Sequence, residues 1–128
     1  MIKIEHIALY AENLEAMRDF FVRYLGARSN EGYHNPKTGF RSYFLSFGNG
    51  ARMEIMQKPG VVPAGLEGEV TGYAHVAFSV GSKEQVDVLT RQLAADGFTV
   101  SSGPRTTGDG YYESSVVGLE GNLIEITV

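Results

Sequence analysis

At 128 residues, with 43% hydrophobic and 20% charged residues, the chain is long enough for a packed core and unlike a disordered sequence. A formal net charge of −4 without a basic patch argues against nucleic acid and anionic membranes as partners. The absence of cysteine excludes disulfides, a thiolate nucleophile and cysteine-based zinc sites. No apolar run approaches the about 18 residues of a membrane helix. The opening Met1-Ile2-Lys3-Ile4-Glu5-His6 meets charged and polar groups too early for a signal peptide. The expectation is a soluble, cytoplasmic protein.

Residues 2–10 read as a strand, with Ile4, His6 and Ala8 on one face and Glu5, Ile7 and Leu9 on the other. A helix follows. Asn13 is its N-cap, Leu14, Met17, Phe21 and Tyr24 recur at helical spacing, and Gly26 stops it. Turn residues crowd 27–39, so any strand there is short. Strands at 40–47 and 51–57 flank the tight turn Gly48-Asn49-Gly50. Residues 58–72, rich in glycine and proline, read as a linker.

The second half repeats this order. Tyr73 to Val80 reads as a strand. Ser82 and Gln85 fit a capping box, and Val86, Leu89 and Leu93 give the apolar face of a helix ending near Gly97. Phe98 to Ser101 reads as a short strand and 102–110 as a loop. Tyr111 to Val117 and Asn122 to Val128 form a hairpin about a turn at 118–121. The fold class is therefore α+β, built from two β-α-β-β-β modules at 1–57 and 73–128 within one domain. Such a repeat arises when one module cannot bury its own sheet face well.

The repeat aligns His6 with His75 and Glu54 with Glu125. A histidine alone on a strand is more often an ordinary core or edge residue. A glutamate in Met53-Glu54-Ile55 or Ile124-Glu125-Ile126 faces a cleft, a partner or solvent, because an unpaired carboxylate is rarely buried. Together, two imidazoles and two carboxylates at symmetric positions form an N/O donor set. It suits nickel, cobalt, zinc, manganese or iron as divalent ions, with water in the vacancies. His34 has no counterpart in the repeat and reads as an exposed loop residue.

With these residues in hand, the chain resembles the vicinal-oxygen-chelate superfamily of glyoxalase I, fosfomycin-resistance transferases, extradiol dioxygenases, methylmalonyl-CoA epimerase and bleomycin-binding proteins. The resemblance covers essentially the whole chain. It rests on the paired modules, on Glu5-His6-Ile7-Ala8-Leu9, on Tyr73-Ala74-His75-Val76-Ala77-Phe78-Ser79-Val80 and on Gly121-Asn122-Leu123-Ile124-Glu125-Ile126. The quartet His6, Glu54, His75 and Glu125 looks like the short bacterial glyoxalase I pattern. That pattern implies a curved, barrel-like mixed sheet around a metal cavity with the helices outside, and a site filled by nickel or cobalt. It also implies a homodimer with the site between chains, although a repeat of this size can pair its own halves instead.

The implied activity is that of a lyase or isomerase acting on an α-hydroxycarbonyl adduct, such as the hemithioacetal of a thiol and a 2-oxoaldehyde. The resemblance points to Glu125 as the base and to Glu54 as its near-symmetric partner for proton return. One position departs from the pattern: Tyr10 stands where glyoxalase I usually has an arginine for the glutathione carboxylate. A phenol does not replace a bidentate cation there, so the thiol stays open. Arg41, Arg52 and Arg105 are alternative cations for an anionic substrate. The segment 103–110 suits either a lid or a plain hairpin entry. Two other readings stand beside the lyase: a non-catalytic small-molecule or antibiotic-binding protein, and a metal-dependent transferase or dioxygenase for which Glu54 is dispensable.

Overall fold

The computed structural model describes residues 1–64, 71 and 73–128. The chain divides into two compact units, residues 1–65 and 66–128. The division falls within the stretch read as a linker, of which residues 65–70 and 72 lie outside the described residues. Among the described residues no helix is long and apolar enough to cross a membrane.

The first unit runs β1 (His6–Tyr10), α1 (Leu14–Leu25), β2 (Arg28–Ser29), β3 (Tyr33–His34), β4 (Arg41–Ser46) and β5 (Arg52–Gln57). Its sheet order is β1-β5-β4-β2, with β3 also pairing β4. β1 is parallel to β5, and β4 is antiparallel to it. Helix α1 starts where Asn13 Oδ1 accepts from the Ala16 N–H at 3.0 Å. It ends where Gly26 takes a left-handed conformation, φ 66°. Its buried face, Leu14, Met17, Phe20 and Phe21, makes the core with Leu45, Met53 and Ile55. The region 27–39 does hold short strands, two of two residues each, and His34 is exposed on one of them rather than in a loop.

The second unit runs β6 (Val76–Ser79), α2 (Lys83–Ala95), β7 (Thr99–Thr106), β8 (Tyr112–Val117), a 3-10 turn (Leu119–Gly121) and β9 (Leu123–Thr127). Its order, β6-β9-β8-β7, repeats that of the first sheet, again with one parallel and otherwise antiparallel neighbours. Ser82 caps α2 by accepting from the Gln85 N–H at 3.2 Å. Val86, Leu89 and Leu93 pack in a core with Val116, Ile124 and Ile126. One polar pair joins this core: Thr90 and Ser114 hydroxyls lie 2.7 Å apart, and Thr90 also donates to the Val86 carbonyl. Both are thereby satisfied inside.

Two expectations fail in this unit: the strand read from Tyr73 begins only at Val76, leaving His75 ahead of it, and the loop read from residue 102 begins too early. The loop expected from 102 is a strand as far as Thr106, with register irregularities between Val100 and Arg105. Glycine and proline signal loops, but β7 is an edge strand, where a missing N–H is tolerated and bulges are common. Gly103 is required there: a Cβ would stand 2.6 Å from the Glu113 carbonyl oxygen, and φ is 78°. The rest of the expected loop is a turn closed by Thr107, whose N–H donates to the Tyr111 carbonyl at 2.7 Å and whose hydroxyl accepts from the Tyr111 N–H at 2.9 Å. Neither half of the segment is a free lid.

Candidate metal centre

Each sheet packs one face on its helix and leaves the other open. In β5 the buried Met53 and Ile55 are 2% and 0% exposed, so Glu54 between them faces the open side. The register pairs Ala8 with Glu54 and His6 with Arg52, which places His6 on that same face. In β9 the buried Ile124 and Ile126 likewise turn Glu125 to the open face, where it pairs with Ala77. His75 lies two residues before Ala77, just ahead of β6.

The two halves differ in detail. In the second unit His75 Nε2 lies 3.1 Å from Glu125 Oε2. Two donors at right angles on bonds of about 2.1 Å lie roughly 3.0 Å apart, so this separation suits neighbouring ligands of one octahedral cation. In the first unit the imidazole of His6 bonds through Nδ1 to the carboxylate of its neighbour Glu5, and its ring meets Phe44 edge-on at 5.5 Å. That contact fixes the ring and leaves Nε2 for another partner, as carboxylates do for metal-binding histidines. The same Glu5 accepts from Arg52 Nε at 2.9 Å and Nη2 at 2.5 Å, and Arg52 stacks over Phe44 at 4.3 Å. The His6 hydrogen bond first, and then Arg52, hold the Glu5 carboxyl below its usual range.

Glu5 was expected on the face opposite His6. It precedes the first residue of β1, so strand alternation does not govern it, and its side chain turns toward the imidazole. Its role is one that sequence reasoning missed, and the adjacent Glu-His pair was the available signal.

The second missed residue is Glu113 on β8. Its carboxyl shares a face with Glu125, diagonally across the β8–β9 pair, and hydrogen bonding to Glu125 first, then desolvation, then the Glu125 charge push it above the usual carboxylate range. Arg105 offsets the rise and Asp109 adds to it. A raised carboxyl stabilises the fold while protonated and loses that contribution as pH climbs through its raised value. The metal-free protein should therefore lose thermal stability as pH rises above about 4.3, and Glu113→Gln should flatten that fall by donating an amide N–H that does not titrate. Melting curves from acid to neutral pH check this, and parallel curves for the two proteins would refute it.

The donor set, two imidazoles and two carboxylates, fits a divalent cation by its chemistry. The structure brings His75 and Glu125 together and sets His6 and Glu54 on one open face. Among the described residues no group of three or more histidine, aspartate or glutamate side chains converges as a ready metal cage. A separate open cavity of about 130 Å³ in the first unit is lined by Leu14, Tyr33, His34, Arg41 and Tyr43. It lies on the β3–β4 side, and Arg41 there is held by Glu15 at 2.7 Å.

Two α+β units of one topology, each carrying a histidine and a glutamate at equivalent positions of the repeat, define a protein of the paired-module glyoxalase type. The chain belongs to the glyoxalase/bleomycin resistance protein/dioxygenase superfamily, whose sequence profile matches residues 3–126. The family includes glyoxalase I enzymes, and its members often bind a divalent metal ion. The chain is 32% identical over 117 residues to YqjT of Bacillus subtilis, an uncharacterized protein, covering 85% of each. Its fold is similar to that of the trypanothione-dependent glyoxalase I of Leishmania major, with TM-score 0.78, 18% identity, and 99% and 86% of the two chains covered. A glyoxalase family protein from Enterococcus faecalis is similar at TM-score 0.75 and 22% identity, with 100% and 97% covered.

Proposed function

We propose that the chain is a metal-dependent lyase or isomerase of the glyoxalase I kind, with His6, Glu54, His75 and Glu125 as the protein ligands of one divalent ion. The observation that carries the reading is the matched placement of the four residues, with the His75–Glu125 separation of 3.1 Å at ligand spacing. The reading includes a homodimer, as the family resemblance implies. Nickel or cobalt is the favoured ion, and the protein works in the cytoplasm on a small molecule.

When bound, the ion supplies Lewis-acid polarisation of two vicinal oxygens of an α-hydroxycarbonyl adduct. His6 and His75 would hold the ion through ring nitrogens, and Glu5 holds the His6 ring in its orientation. The Glu125 carboxylate would take the carbon-bound proton and later release it to solvent, and Glu54, its counterpart in the repeat, would pick up a proton from solvent and deliver it to the neighbouring carbon, so that both carboxylates end as they began. The open-face strands keep these carboxylates fixed while Met53, Ile55, Ile124 and Ile126 anchor their strands in the two cores.

Nickel binding measured by calorimetry tests the ligand set. Glu54→Gln should weaken it by more than the about ten- to hundredfold that loss of a second-sphere partner costs. Unchanged affinity in that variant would favour a three-ligand transferase or dioxygenase. A wild-type protein that takes up no metal would favour a small-molecule binder.

A further inference from the structure

Three arginines on the strands are candidates to receive an anionic group, and their surroundings separate them. Arg41 gives Nη2 to Glu15 at 2.7 Å. Arg52 gives both Nε and Nη2 to Glu5 and lies flat on Phe44. Each of these guanidinium groups already holds a carboxylate.

Arg105 is different. Its Nε donates to the Ser102 hydroxyl at 3.0 Å, which orients the guanidinium plane, and among the described residues it makes no ion pair. The register sets Arg105 directly across from Glu113, so both project from the same side of the sheet. Glu113 stands diagonally across the β8–β9 pair from Glu125 on the same face, and Glu125 lies beside His75. The four side chains follow a stepped diagonal over the open face, from the edge strand β7 through β8 and β9 to the residue just ahead of β6. Two strand spacings across and two residues along β9, roughly 12 Å in all, separate the Arg105 and Glu125 backbones. An arginine side chain and a short carbon chain together span that gap.

We propose that Arg105 anchors an anionic group of the substrate, and that the substrate is an α-hydroxycarbonyl compound with a carboxylate a few bonds from its chelating oxygens. The inference rests on the metal site proposed above. A planar carboxylate matches the two Nη groups that Ser102 leaves available. Glu113 and Asp109 make the surroundings partly negative, which disfavours a dianionic phosphate and admits a singly charged carboxylate.

The test uses cobalt-loaded protein, with the cobalt absorption followed during titration with malate or with lactate. Both acids present vicinal hydroxyl and carboxylate oxygens, and malate alone adds a second carboxylate. Malate should bind about tenfold more tightly or better, the effect of one charge-assisted contact. Arg105→Gln should abolish that preference and leave lactate affinity unchanged. Arg105→Lys, which keeps charge without the fork, should retain part of it. No preference in the wild type, or a preference that survives in Arg105→Gln, overturns the proposal. A wild-type protein without a cobalt spectrum before any acid is added would instead overturn the metal reading, and the anchor with it.

Discussion

Replacing Glu125 by glutamine is expected to lower kcat for hemithioacetal turnover about 10²–10⁴-fold, the range of a lost general base. Glutamine keeps the size of the side chain and one oxygen that can face the metal, but it has no basic carboxylate. The strand should be undisturbed, because the flanking Ile124 and Ile126 stay in the core and the substituted side chain lies on the open face. The loss should therefore appear in kcat while KM changes little, the signature of an interaction used in the transition state. Measurement at saturating nickel separates this from weaker metal binding. Glu125→Gln with full activity under those conditions would remove Glu125 as the base. Glu54→Gln, measured alongside, should show its main effect on nickel affinity if Glu54 is chiefly a ligand.

Much of this arrangement is legible in the sequence because it depends on short-range rules. Asn13, Gly26 and Ser82 mark helix ends through local backbone chemistry, and all three act as read. Glu54 and Glu125 sit between buried apolar neighbours, so a period of two assigns them to the open face without knowledge of the fold. Glu113 resists the same rule. Its strand, Tyr-Glu-Ser-Ser-Val-Val, buries Ser114 through a hydrogen bond to Thr90 from α2, so polarity does not alternate with burial. Arg105 reads from the sequence as one of three candidate cations, but its place on the sheet is hidden for a related reason. Gly103 and Pro104 read as loop residues, and only the pairing of β7 with β8 sets Arg105 opposite Glu113. Tertiary contacts, not propensity, decide both.

Truncating Phe21 to alanine is expected to destabilise the protein by about 3–5 kcal/mol, through lost burial and the cavity left behind. Phe21 is 2% exposed on the buried face of α1 and meets Phe20 edge-on at 5.3 Å. A loss of that size is a large part of a typical domain's total stability of about 5–15 kcal/mol. Denaturant melts should show it directly, and a change under about 1 kcal/mol would mean that this core tolerates the void. The variant also makes a sensitive reporter of the metal site, because Phe21 lies on helix α1, in the core on the other face of the sheet from the open-face donors. An ion that binds the native state alone adds about 4 kcal/mol when free metal is a thousandfold above Kd. Nickel at that excess should therefore restore most of what Phe21→Ala removes. If Glu54 is a ligand, the recovery should shrink in the Phe21→Ala, Glu54→Gln double variant, because weaker binding lowers the same logarithm. Equal recovery in both proteins would show that nickel stabilises the fold from somewhere other than the proposed quartet. This readout needs no substrate, so it tests the site even before its thiol is known.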